Sequence, residues 1–87
     1  MNVHDHKNRV AALGCMACKL LGYGDSPATL HHVREGQGMA QRSSDWLVIP
    51  LCQEHHQGKH GIHGTGFESM TKLTEMDLLA ATIERLS

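Results

Sequence analysis

The side chains best suited to chemistry in this chain are its three cysteines and eight histidines, a high density for 87 residues. Thiolate and imidazole are the preferred ligands of zinc. Cys15 and Cys18 are separated by two residues, and so are Cys52 and His55. A two-residue gap lets both side chains reach one ion from a turn or a helix start. Two such half-sites, far apart in sequence, supply the four ligands of a closed tetrahedral zinc. An odd number of cysteines argues against a disulfide framework. A redox role for the CxxC pair would call for an alternating strand–helix pattern around it, which the sequence lacks. The remaining alternative is a set of small buried residues with no ion. Against it stands a thin core: Tyr23, Trp46 and Phe67 are the only aromatic residues. Domains of this size often need a staple.

The other histidines suggest a second centre. His55 and His56 are neighbours on an expected helix, so their side chains diverge by about 100° and serve one ion poorly. His56 and His60 would share a face if that helix runs on. His31, on an expected strand, could add a third ligand from outside the helix, and so could His63 from its glycine-framed turn. Three protein ligands with one open position describe a catalytic site. His32 is then the histidine beside the ion, and imidazoles titrate where taking a proton from water is useful. Neighbours on a regular strand point to opposite faces. The strand must therefore bend or end for His31 and His32 to serve one substrate. His4 and His6 read as a solvated pair.

Positioning these groups requires several elements. Asp5 can cap a first helix running over 7–13, with Gly14 as its stop. Residues 29–33 read as a strand. Residues 46–49 read as a second strand, ended by Pro50. The connection between the strands is long and broken by Gly36 and Gly38. A helix over 51–57 follows directly, and glycines then weaken regular structure through 58–66. A final helix over 74–86 opens with Thr74 and Asp77 in capping-box spacing. Met76, Leu79, Ala80, Ile83 and Leu86 give it an apolar face, so it reads as a packing helix without a chemical role. All of this amounts to one domain over 1–87.

A net charge of −1 excludes a broadly basic nucleic-acid coat, so contact with a polyanion must come from local clustering. Residues 1–10 do not read as a signal peptide, and no apolar run approaches a membrane span. A cytoplasmic, reducing location is expected, where paired cysteines hold metals more often than they form bridges.

With these residues in place, the sequence resembles the HNH nuclease family. His31-His32 matches its strand pair. Leu51-Cys52-Gln53-Glu54-His55-His56 matches a zinc pair followed by the helix ligand, and Gln57-Gly58-Lys59-His60 matches the usual end of that motif. The resemblance is closer to one branch, the phage recombination-enhancement (Ref) nucleases that depend on RecA. It spans Arg9 to about Glu68. It rests on Arg9-Val10-Ala11-Ala12-Leu13-Gly14-Cys15, His31-His32-Val33-Arg34, Gly36-Gln37-Gly38-Met39-Ala40-Gln41-Arg42, Ile49-Pro50-Leu51-Cys52 and Gly61-Ile62-His63-Gly64.

The resemblance implies an α+β fold: a small ββα-metal (HNH-like) core over about 9–68 with a zinc clamp, an N-terminal helix and a C-terminal packing helix. It implies a DNA endonuclease acting on phosphodiester bonds, with His32 activating water. Its structural zinc would be held by Cys15, Cys18, Cys52 and His55. A catalytic divalent ion (magnesium, manganese or zinc) would be held by His31, His56 and either His63 or His60, the branch favouring His63. The family's asparagine position is Leu47 here, and Asp45 is the expected substitute for holding the catalytic histidine. Arg34, Arg42 and Lys59 are the expected phosphate contacts, with Lys7 or Arg9 in reserve. DNA and a RecA-type recombinase filament are the implied partners, although the sequence begins near the core without a long basic arm. The competing readings are a non-catalytic zinc module for DNA or protein and a metal-storage or metal-sensing protein. Metal count separates these: a module holds about one tight zinc, a nuclease also shows a second, exchangeable ion.

Overall fold

The computed structural model describes residues 2–33, 44–58, 61–62 and 66–87. In chain order these form α1 (Val3–Ala12), α2 (Met16–Leu21), β1 (Thr29–His32), β2 (Val48–Leu51), α3 (Gln53–Gln57), α4 (Phe67–Thr71) and α5 (Glu75–Leu86). The class is α+β, as expected.

The two strands form an antiparallel sheet in which Thr29 faces Leu51, Leu30 faces Pro50, His31 faces Ile49 and His32 faces Val48. The Val33 amide donates to the Leu47 carbonyl just beyond the ladder, at 3.0 Å. In an antiparallel pair, directly bonded and non-bonded residue pairs alternate. Counting back from Val33 and Leu47 makes His31–Ile49 and Thr29–Leu51 bonded pairs and leaves Leu30–Pro50 non-bonded. The Pro50 nitrogen therefore faces outward and costs no ladder bond. For that reason β2 runs through Pro50, where the sequence suggested it would stop.

The core lies between the sheet and the helices. Met16, Val33, Ile49, Leu51, Phe67 and Leu78 are buried together, along with Cys15 and Cys18. Asn2, not Asp5, caps α1: its side chain accepts from the Asp5 amide at 2.9 Å, so the helix starts earlier than expected and Asp5 falls in its first turn. Thr74 and Asp77 form the expected reciprocal capping box on α5, at 3.0 and 2.9 Å. The phase of α5 differs from expectation. Leu78, Ala81 and Thr82 are buried, whereas Met76 and Ile83 are 40% and 50% exposed. The sequence carries two apolar stripes, and the sheet accepts the one that includes Glu75.

The α3 helix is short. Gly58 takes an extended backbone at its end (ψ 173°). A Cβ on Gly58 would lie 2.3 Å from the Glu54 carbonyl oxygen, and one on Gly61 2.9 Å from those of Glu54 and His55. Only glycine permits this approach. The chain doubles back over the helix end, and the Ile62 amide bonds the His55 carbonyl at 2.7 Å. Helix α4 was not expected. It begins at Phe67, which is buried, directly after the glycine-rich stretch.

Candidate metal centre

Cys15 is the N-cap of α2 and Cys52 the N-cap of α3. In each half-site the second ligand, Cys18 or His55, sits three residues on, within the first turn. One helical turn brings positions i and i+3 to the same side. Both pairs therefore project from helix starts toward a shared point. All four ligand atoms lie within 4.8 Å of one another.

The separations can be tested against an ion. Sulfur at about 2.3 Å and nitrogen at about 2.0 Å from one tetrahedral zinc stand about 3.8 Å (S···S) and about 3.5 Å (S···N) apart. The Sγ atoms of Cys18 and Cys52 are 3.9 Å apart. His55 Nδ1 lies 3.6 Å from Cys15 Sγ, 3.5 Å from Cys18 Sγ and 3.3 Å from Cys52 Sγ. The four residues fit a structural zinc, and the three cysteines are free thiols.

Surrounding groups support the cluster. The Cys18 amide donates to Cys15 Sγ, and the Ser26 hydroxyl to Cys18 Sγ. The rings of Tyr23 and Phe67 lie on two sides of His55, with centroids 6.2 and 6.4 Å away. Without an ion, burial pushes the Cys15 thiol up to about 11. Burial acts the same way on Cys52, but hydrogen bonds from the His55 amide and the two other thiols outweigh it and lower that thiol. A bound cation reverses the penalty at Cys15, because a coordinating thiol is deprotonated outright.

A second group lies on the strand and the two helices facing it. His31 and His56 are buried, with their rings edge to face and centroids 5.3 Å apart. His31 Nε2 meets the Glu75 carboxylate at 2.6 Å. His56 Nδ1 meets the Thr29 hydroxyl at 2.9 Å. Strand alternation holds: His31 turns inward, and His32 turns outward with its side chain 41% exposed. Its Nε2 meets Asp45 Oδ1 at 2.7 Å. The strand ends at His32, which is one of the two conditions for both histidines to serve one substrate.

Sequence reasoning missed Glu75, because the packing helix was assigned the wrong buried face. Its spacing with Leu78, Leu79 and Thr82, at i, i+3, i+4 and i+7, is visible in the sequence but does not outrank the other stripe. The helical spacing that favoured His60 does not apply, since α3 ends at Gln57. His60, His63, Arg34, Arg42 and Lys59 lie outside the described residues. His6 is not simply solvated: its Nε2 meets the Trp46 carbonyl at 2.9 Å, and the two rings are 5.0 Å apart. Arg9 donates to the Leu86 carbonyl at 2.8 Å, tying α1 to the end of α5.

No helix among the described residues is long and apolar enough to cross a membrane. Neither a search of curated proteins nor one of solved structures gave a match. A family model described as "Recombination enhancement, RecA-dependent nuclease" matches residues 2–77, which includes both histidine and cysteine groups. With most of its length matched, this chain belongs to the family of recombination-enhancement, RecA-dependent nucleases.

Proposed function

We propose that this chain is a metal-dependent DNA endonuclease of the HNH (ββα-metal) type, hydrolysing phosphodiester bonds in recombination. One observation carries the reading. The order β1–β2–α3 brings the His31 and His56 rings to 5.3 Å, while the adjacent His32 is held by Asp45. His31 and His56, with His63 or His60, would hold a divalent ion (magnesium, manganese or zinc). When bound, that ion supplies charge neutralisation at the scissile phosphate and the leaving oxygen.

The residues themselves do the rest. The Asp45 carboxylate accepts the Nε2 proton of His32, which leaves the lone pair on Nδ1. His32 Nδ1 takes the proton of the attacking water, and Asp45 stabilises the imidazolium that results. Asp45 thus replaces the asparagine absent at Leu47. Arg34, Arg42 and Lys59 contact the DNA backbone. With a net charge of −1, binding is weak and falls steeply with salt, so a RecA-type filament supplies local concentration. The working location is the cytoplasm of a cell in which phage DNA recombines.

The competing reading is a non-catalytic zinc module, favoured by the completeness of the Cys15–Cys18–Cys52–His55 set. Single-stranded and duplex DNA incubated with the protein, with manganese or magnesium and with or without a RecA filament, separates the two. Cleavage is expected in at least one condition. His32→Ala is expected to lower it about 10²- to 10⁴-fold while leaving the fold intact. Wild-type protein that cuts in none of these conditions, and holds one zinc only, overturns the nuclease reading.

A further inference from the structure

Trp46, the chain's single tryptophan, stands 49% exposed in the turn that leads into β2. Both of its backbone polar groups are tied down. Its amide donates to the Ser44 hydroxyl at 3.1 Å, and its carbonyl accepts from His6 Nε2 at 2.9 Å. The Leu47 amide closes the turn onto the Ser44 carbonyl at 3.2 Å, and the Leu47 carbonyl joins the sheet through the Val33 amide at 3.0 Å. The imidazole of His6 also lies against the indole, with ring centroids 5.0 Å apart and planes at 40°. A ring backed in this way keeps its exposed surface in one place, which lowers the ordering cost of binding to it.

The chemistry of the turn selects its partner. Residues 44–47 carry one carboxylate, Asp45, and neither lysine nor arginine. A phosphate finds no cation there, whereas the face of an aromatic ring stacks on any base. Inside a duplex both faces of a base are taken by its neighbours, and freeing one costs unstacking energy. An unpaired base is therefore the better occupant. Asp45, next to Trp46 in the chain, bonds His32 at 2.7 Å. A base on Trp46 then belongs to a nucleotide close to the phosphate on which His32 would act.

We propose that Trp46, backed by His6, is a stacking platform for one unpaired DNA base and directs the nuclease to single-stranded DNA. The proposal rests on the nuclease reading and adds the form of the substrate to it. Stacking also suits a chain with a net charge of −1, because affinity gained this way releases no counterions.

The test uses the full chain loaded with one equivalent of zinc and no other metal. A single-stranded oligonucleotide, a duplex of the same length and an abasic single strand of the same length are titrated at low salt. The fluorescence of Trp46 reads its own contact, as the chain has no other tryptophan. Only the normal single strand is expected to quench it. Anisotropy of dye-labelled DNA reads affinity in the variants. Trp46→Ala is expected to weaken the normal strand about 5- to 150-fold, the value of one base–aromatic stack, and to leave the abasic strand unchanged. Trp46→Phe should keep most of the affinity, and His6→Ala should lose less than Trp46→Ala. The abasic arm separates stacking from a folding defect, which would weaken both strands. Equal affinity of wild type and Trp46→Ala, an equal loss on abasic DNA, or wild type that binds duplex as tightly as single strand overturns the platform. If that protein still cuts DNA with manganese, the nuclease reading stands. The expected stacking without cleavage in any condition keeps the platform and overturns the nuclease reading.

Discussion

The cysteine cluster and the histidine group lie within one small core, yet they are built on opposite plans. In the first, four ligands from two helix starts converge at tetrahedral spacing with their donor atoms aimed at one point. In the second, His31 meets Glu75 and His56 meets Thr29, each through one ring nitrogen. Four converging ligands close a site and serve the fold. On the proposed reading, His31 and His56 serve an exchangeable ion instead. The comparison teaches that convergence of ligand atoms, more than the histidine count, marks the structural site.

The sharpest way to break this contrast is to remove metal. Stripping zinc with a strong chelator, or Cys52→Ala, is expected to abolish the cooperative unfolding transition seen by circular dichroism. Structural zinc in small peptides is worth on the order of 10 kcal/mol. Uptake should release protons and strengthen as pH rises, because the thiols, Cys15 above all, must ionise to bind. His56→Ala, by contrast, should leave the zinc content at one and the transition in place. A folded, cooperative protein without zinc would erase the distinction.

A smaller effect tests how α5 delivers Glu75. Leu78→Ala should cost roughly 2–5 kcal/mol in denaturant unfolding, since Leu78 is fully buried. Ile83→Ala should cost no more than about 0.5 kcal/mol, as expected for an exposed position. Equal losses would mean that the other stripe faces the sheet and that Glu75 is turned away from His31. Smallest of all, Thr74→Ala should cost about 1 kcal/mol through the lost cap. An unchanged unfolding midpoint would show that the capping box does not hold the first turn of α5.

Much of the cysteine cluster was legible in the sequence, for a local reason. Each half-site spans a single helical turn, so spacing alone brings its two ligands together. The strand pair and the α5 cap were legible on the same grounds, as signals contained within a few residues. The places where reading failed are those where a distant partner decides. Pro50 stays in β2 because of its register with Leu30. The cap of α1 is a separate, local case: Asn2 and Asp5, three positions apart, compete for it, and Asn2 takes it. The exposed stripe of α5 is as apolar as the one it buries, so periodicity could not choose between them.

From its residues alone, this chain determined that two short motifs would each present a pair of metal ligands, and that a histidine pair would sit on a strand before a helix carrying another. Such patterns act through bonded geometry over three or four residues. Tertiary structure decided which face of α5 meets the sheet, and hence that Glu75 reaches His31 across 44 positions. It also decided that Asp45 meets His32 and that Thr29 meets His56. Those pairings depend on how strands register and helices rotate against a common core, and no local spacing encodes them.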